Sequence, residues 1–291
     1  MSKHRILITG ATGNVGREMV LATIRAGLPA TAAVRCPETA RGIPSDFPMA
    51  SLDFHESDTW APAIAGHDAV FLVRPPAIAD VHRNLNLFID QAYASGVRHI
   101  VFLSVAGADR NRFVPHAKVE AHLASCGDAY TNLRPGFFAQ NLQDAYLADI
   151  LENNRIILPA GRAQVNWIDV RDVADVAALI FANPERHRAK SYSLTGPKPV
   201  SLDHVARIMS AVTGRPIAYE AVSIPGYMLH LRRRQLSAGA IFVQTILHAL
   251  LRYGQGAKSD STLEQLLGRP GRSIETYIRE NAALWRVEDI A

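Results

Sequence analysis

Cysteine is scarce: the 291-residue chain has two, Cys36 and Cys126. Two thiols cannot build a disulfide framework, and no Cys/His spacing of a sequence-readable metal site is present. A reducing, cytoplasmic compartment is therefore expected, with no metal. Long apolar runs are missing too. The longest, Ala238 to Leu251, is too short and interrupted to span a bilayer and is expected to be a helix lining a core or pocket. Arg232-Arg233-Arg234 just before it is expected to be a solvated helix face, so no membrane partner is inferred. No secretory signal segment is read ahead of the first apolar run. Charge of one sign is not concentrated. The net charge is +4, the cations are dispersed, and no nucleic-acid recognition motif occurs, so nucleic acid is not an expected partner. No internal repeat or low-complexity segment is visible. What composition leaves is an ordinary globule able to bury a substantial core.

What is present begins at once. Ile6-Leu7-Ile8 reads as a strand, and Gly10, Gly13 and Gly16 follow at three-residue spacing, opening a helical pattern from Arg17 to Ala22. In such a strand–glycine–helix unit the first glycine turns the chain. The second lets a pyrophosphate approach the backbone, and the third lets the helix pack closely on the sheet. Helix N-terminal N–H groups then face the phosphates. Gly10, Thr12, Gly13, Asn14, Val15 and Gly16 are thus the expected phosphate loop. The next strand ends in Val34-Arg35, where binders of NAD carry an acidic residue for the ribose 2′-hydroxyl. A guanidinium suits a 2′-phosphate instead. NADPH is expected as cofactor, with NADH possible.

Strand and helix patterns alternate through the first two thirds. Strands are expected at 6–9, 31–34, 50–53, 69–73, 99–103 and 130–133. This predicts an α/β fold, a Rossmann-type doubly wound parallel sheet, with ligands at the carboxyl ends of its strands. Asp53-Phe54, Val73-Arg74-Pro75-Pro76, Ser104 and Arg134-Pro135-Gly136 fall at those ends. Asp53 is placed either to accept from an adenine amino group or to cap a turn. Pro75-Pro76 either walls the nicotinamide side or makes a simple turn. One helix is expected from about 139 to 153, and strands at 155–158, 164–169 and 191–194. A helix is expected over 170–182, another at 201–213 behind an N-cap serine, and a last one at 273–285. The division expected is 1–196 for the dinucleotide-binding domain, with 138–165 contributing to a substrate pocket. A smaller, mostly helical substrate-binding part, 197–291, follows.

With these residues in hand, the chain resembles the NmrA-like group of atypical short-chain dehydrogenases/reductases. The matching segments are Gly10–Gly16, Val34-Arg35, Ser104-Val105-Ala106-Gly107, His116 with Glu120, and Tyr130 through Phe138 with Asn141. Trp167 through Ala174 and Tyr192 through Pro197 continue the match. The resemblance implies Ser104, His116 and Lys118 as catalytic residues. It puts Gly10, Thr12, Gly13, Asn14, Val15, Gly16, Arg35, Asp53, Phe54, Val73, Arg74, Pro75, Ser104, Lys118, Pro135 and Phe137 around the cofactor. One departure matters: typical short-chain dehydrogenases place a tyrosine four residues before the lysine, and with Lys118 as that lysine the position holds Val114. The expected activity is therefore NAD(P)H-dependent hydride transfer to a small conjugated or cationic acceptor, such as a quinone, enone or iminium ion. Such acceptors need no concerted protonation. The alternative is a non-catalytic NADP(H)-sensing regulator acting through a protein partner. A monomer or homodimer is expected.

Overall fold

The computed structural model describes residues 4–286, and the chain folds into two compact units that it enters more than once. The first comprises 1–135, 170–194 and 262–269; the second comprises 136–169, 195–261 and 270–291.

In chain order the first unit runs β1 (Ile6–Ile8), α1 (Asn14–Ala26), β2 (Ala30–Val34), β3 (Met49–Ser51) and α2 (Trp60–Ile64). It continues through β4 (Ala69–Val73), α3 (Leu87–Ala94), β5 (His99–Leu103), α4 (Pro115–Ser125) and β6 (Tyr130–Pro135). The chain then leaves for β7 (Phe137–Phe138), α5 (Leu147–Asn153), β8 (Arg155–Leu158) and β9 (Gln164–Ile168) of the second unit. It returns for α6 (Val170–Ala182) and β10 (Lys190–Leu194). The second unit resumes with β11 (Pro199–Ser201), α7 (Leu202–Thr213), β12 (Ala218–Ala221), α8 (Ile224–Arg233) and α9 (Ala238–Leu251). Helix α10 (Thr262–Leu267) belongs to the first unit and α11 (Ile274–Glu280) to the second.

Seven parallel strands form the first unit's sheet in the order β10-β6-β5-β4-β1-β2-β3. From β1 the chain builds outward to β3, then returns to the other side of β1 to start β4. The order therefore reverses between β1 and β4, which is where doubly wound sheets open a ligand crevice. Ile6, Leu7, Ile8, Val70, Phe71, Ile100, Val101 and Phe102 are all fully buried, as a sheet covered on both faces requires. On one side α1 packs against α6, joined by Arg25–Asp175 at 2.9 Å. Arg269, just after α10, reaches Asp172 and Asp175, each at 2.8 Å.

The second unit holds a three-stranded sheet, β11-β9-β7, and a parallel pair, β12-β8. Ile156, Leu158 and Trp167 share one core with Val205, Met209, Tyr277 and Trp285. This explains why the expected division at 196/197 differs from the structure. Residues 136–169 bury their apolar side chains with the C-terminal third, while 170–194 supply a helix and an edge strand to the large sheet. The single helix expected over 139–153 is also interrupted: a 3₁₀ turn, Ala139–Leu142, precedes α5. Between them Tyr146 is drawn into the core, 2% exposed, and Gln143 accepts from the Tyr277 hydroxyl at 2.6 Å. Tertiary contacts here override local helix preference. Helix α9 lies where expected, but Phe242, Val243, Ile246 and Leu247 are exposed while Thr245, His248 and Leu251 are buried.

Among the first unit's glycines, the closest backbone approach lies under the glycine loop. A Cβ on Gly16 would stand 2.1 Å from the Gly10 carbonyl oxygen and 2.6 Å from its carbon. These are backbone atoms that cannot swing aside. Gly16→Ala is expected to destabilise the protein by about 1–3 kcal/mol or more. Gly239→Ala, where a Cβ meets nothing within 4 Å, is expected to melt at or above the parent temperature. Paired thermal melts check both.

Candidate functional site

The loop joining β1 to α1 is shaped by its glycines, but not all three serve the fold. Gly10 has φ +62°, a conformation costly for any residue with a Cβ, and a Cβ there would press on Val73 at 3.0 Å. Gly16 is required by close packing. Gly13 is different. Its φ of −84° and ψ of 171° suit any residue, and a Cβ would meet only the Gly10 oxygen, at 3.3 Å. The fold nearly tolerates a side chain at Gly13, so its absence leaves room beside the loop on the outer side. Gly13 is also the N-cap of α1 and offers no side chain to cap it, and the first turn carries no acidic residue. The positive end of the helix dipole is therefore not countered by a carboxylate from that turn, which suits an anion. This cradle fits a dinucleotide pyrophosphate.

Arg17, expected only as part of the helix and not as a site residue, stands in that first turn. Its Nε donates to the Thr12 carbonyl at 2.9 Å, and its stem lies 2.8 Å from where a Gly42 Cβ would be. The segment after β2 thus passes over Arg17. A cation in the first turn of a helix opposes the dipole, a signal visible in sequence. Arg35 follows β2 and is exposed; its carbonyl accepts from the Ser51 hydroxyl at 3.2 Å. Thr12 is exposed, whereas the Val15 side chain is buried in the core.

At the end of β3, Asp53 closes a turn. One carboxylate oxygen accepts from the His55 N–H at 2.8 Å, and its carbonyl accepts from Trp60 Nε1 at 2.8 Å. The turn-closing reading of Asp53 therefore describes its geometry. Phe54 is 6% exposed and packs edge-on against Phe88 at 5.1 Å, so its side chain is core. Val73 ends β4 with its N–H on the Thr9 hydroxyl at 2.8 Å and its methyls against Gly10. Arg74 folds onto its own loop: Nη1 donates to the carbonyls of Pro75 at 2.9 Å and Ile78 at 2.6 Å.

The three expected catalytic residues fare differently. Ser104, 2% exposed at the end of β5, donates its hydroxyl to Glu120. Glu120 in turn accepts from Arg134 Nε at 3.0 Å and Nη2 at 2.5 Å, a two-pronged ion pair. That pairing raises the Arg134 guanidinium still higher. His116 Nε2 accepts from Arg74 Nε at 3.3 Å, so in this arrangement its proton sits on Nδ1. Burial, helped by the Arg74 charge, lowers the imidazole to about 4. At neutral pH it is uncharged, and its Nε2 lone pair is already engaged. Lys118 is exposed. Two residues along a helix turn the side chain by about 200°, so Lys118 points away from the face shared by His116 and Glu120. Lys118 thus lies on the solvent side of α4, apart from the Ser104–Glu120 contact. Glu120, buried, and Arg134, half-buried, were both missed as site residues. Pro135 ends β6 and is buried, its carbonyl accepting from Ala106 at 3.0 Å.

In the second unit Phe137 packs edge-on against Trp167 at 5.0 Å and His248 at 5.8 Å. His248 is buried between two tyrosines. Its Nδ1 lies 2.7 Å from the Gln244 carbonyl and so carries the proton, and the Tyr146 hydroxyl donates to Nε2 at 2.5 Å. Tyr227 reaches Nδ1 at 3.2 Å. Burial lowers His248 to about 4 and raises both tyrosines well above their ordinary range.

The match to a family model decides the lineage: the NmrA-like family model covers residues 2–260. The chain belongs to the NmrA-like family. Among its relatives, the NAD(P)H azoreductase of Xenophilus azovorans is 31% identical over 283 residues, spanning 96% of this chain and 98% of that one. Quinone oxidoreductase 2 of Escherichia coli is 27% identical over 282 residues, with 92% and 96% covered. The crystal structure of Citrobacter sp. triphenylmethane reductase complexed with NADP(H) superposes with a TM-score of 0.82 at 22% identity, covering 96% and 99%. That likeness shows the shared fold.

Three histidines withdrawn from solvent, His99 and His248 fully and His116 in part, set a pH dependence. His99, His116 and His248 are each lowered to about 4, chiefly by burial. Unfolded, each titrates near 6.5. Between these values the unfolded chain binds more protons than the folded one, so the histidine contribution lowers stability as pH drops through about 6.5 and is complete below about 4. Urea midpoints measured from about pH 7.5 down to about pH 4.5 should decrease, and His116→Gln should flatten the decrease.

Proposed function

We propose that this chain is an NAD(P)H-dependent oxidoreductase, with NADPH preferred, that reduces small conjugated or cationic organic acceptors. The names of its relatives, an azoreductase and a quinone oxidoreductase, support the reaction class. The observation that carries it is the state of the groups at the strand ends. The Ser104 proton is given to Glu120, His116 is neutral with Nε2 taken by Arg74, and Lys118 faces solvent. None of the three is poised as an acid at neutral pH. A ketone, whose alkoxide needs a proton as it forms, is poorly served. A quinone, azo compound or iminium ion delocalises or neutralises the arriving charge and is well served.

NADPH, when bound, supplies the hydride from C4 of its nicotinamide. The chain's part is binding and orientation. Gly10, Thr12, Gly13, Asn14, Val15 and Gly16 hold the pyrophosphate through the backbone and the N-terminus of α1. Arg35, with Arg17 beside the following loop, takes the 2′-phosphate. Asp53 accepts from the adenine amino group through the carboxylate oxygen that His55 does not use. Val73, Arg74, Pro75 and Pro135 border the cofactor by backbone rather than by charge. Ser104 keeps its oxygen lone pairs for a donor on the cofactor or substrate, held in place by Glu120 and Arg134. Arg74 holds His116 as a neutral wall.

The test is NADPH oxidation against a panel containing quinones, azo dyes, an iminium salt and simple ketones. Conjugated acceptors should turn over and simple ketones should not. His116→Ala should slow turnover by no more than about tenfold, less than the roughly 10²–10⁴-fold that a general acid contributes. Equal rates with simple ketones, or abolition of activity in His116→Ala with NADPH affinity intact, would overturn the reading. Tight NADPH binding with no turnover of any acceptor would favour a cofactor-sensing regulator.

A further inference from the structure

Away from the glycine loop, in the first unit, three side chains of different donor types converge. His122 lies in the last turn of α4 and Cys126 is its C-cap residue, one helical turn further on, so both project from one face. Asp90 comes from α3. Its Oδ1 lies 2.8 Å from His122 Nε2 and 3.6 Å from Cys126 Sγ, and all three ligand atoms lie within 4.8 Å of one another. His122 is half-buried and the other two residues are exposed, so an ion could enter from solvent.

We propose that Asp90, His122 and Cys126 form a zinc site, with one ligand from each and a fourth position left to solvent. One thiolate, one imidazole and one carboxylate make a mixed donor set that suits zinc and is poor for magnesium or calcium, which demand oxygen shells. The spacing also fits. Zinc bonds of about 2.0 Å to nitrogen and oxygen and about 2.3 Å to sulfur, at tetrahedral angles, put neighbouring ligand atoms roughly 3.3–3.6 Å apart. The oxygen–sulfur separation is already 3.6 Å, and the oxygen–nitrogen pair must open by about half an ångström from 2.8 Å. In the metal-free protein Asp90 gathers the two N–H and S–H donors onto one oxygen, which pre-aims both ligand atoms. On binding, the Cys126 thiol proton leaves to buffer as the sulfur–zinc bond forms. The His122 proton moves from Nε2 to Nδ1 as Nε2 takes the metal. No electron is transferred, and one proton is released per ion. The ion would fasten α3 to the far end of α4, the helix whose first turns carry His116 and Glu120.

Neither cysteine belongs to the proposed oxidoreductase machinery, so the test stands apart from that reading. Cobalt(II) serves as the probe on the whole purified chain, stripped of metal and held reduced with a phosphine. One equivalent should bind with a thiolate-to-cobalt charge-transfer band and tetrahedral visible absorption. Cys126→Ser should abolish the charge-transfer band. His122→Ala and Asp90→Asn should each weaken cobalt binding by at least about tenfold, the smallest loss usual even for groups behind the ligands. Cys36→Ser, at the other exposed thiol, should change nothing. Zinc should raise the melting temperature of the parent and not that of Cys126→Ser, whose metal-free melting should match the parent. Absence of the band in the parent, its survival in Cys126→Ser, or full-strength binding by Asp90→Asn would each overturn the assignment.

Discussion

Everything at the candidate site depends on how closely α1 sits on the turn that ends β1. The helix backbone at Gly16 is pressed onto the Gly10 carbonyl so tightly that a Cβ would stand 2.1 Å from the oxygen. That approach fixes where α1 begins and which way its N-terminus points. It brings Gly10 under Val73 of β4, at the place where the strand order reverses. Two glycines are therefore consumed by the fold. The third, Gly13, sits in ordinary extended backbone, and its missing side chain leaves space beside the loop, the space that the proposed function fills with the pyrophosphate. Separating the three in this way turns a familiar motif into a physical statement about a ligand.

The second organising element is the partly buried ion pair of Glu120 and Arg134, which ties α4 to β6 and holds the Ser104 hydroxyl at the end of β5. A charge pair withdrawn from water even in part costs desolvation and needs good hydrogen bonds to offset it. Here the carboxylate has three. The consequence is chemical as well as structural: a serine whose proton points at a carboxylate is an acceptor, not an acid. Together with a neutral His116 held by Arg74, it leaves the strand ends without a ready proton donor, which is the ground of the proposed function.

Much of this was legible locally. The glycine loop, most strands of the parallel sheet, Ser201 as the N-cap of α7, and Arg35 at the end of β2 all depend on residues close together in the chain. Lys118 shows what a linear motif leaves out: helix periodicity sets it on a different face of α4 from His116 and Glu120. The ion pair of Glu120 and Arg134 could not be read, because it needs α4 and β6 laid side by side. His248 with Tyr146 joins residues 102 apart, and the interrupted 139–153 segment follows from that same burial of Tyr146. The zinc ligands show the same division. His122 and Cys126 lie one turn apart and are visible on a helical wheel, but Asp90 arrives only through the packing of α3.

The most direct test of the account is calorimetric titration of NADPH into the parent protein and into Gly13→Val. The fold should survive, since valine suits the extended backbone there and loss of a good N-cap costs about 1 kcal/mol. The branched side chain would occupy the space assigned to the pyrophosphate. The account predicts measurable binding to the parent and none to a Gly13→Val protein that melts within a few degrees of it. Unaltered NADPH affinity in that folded variant would contradict it.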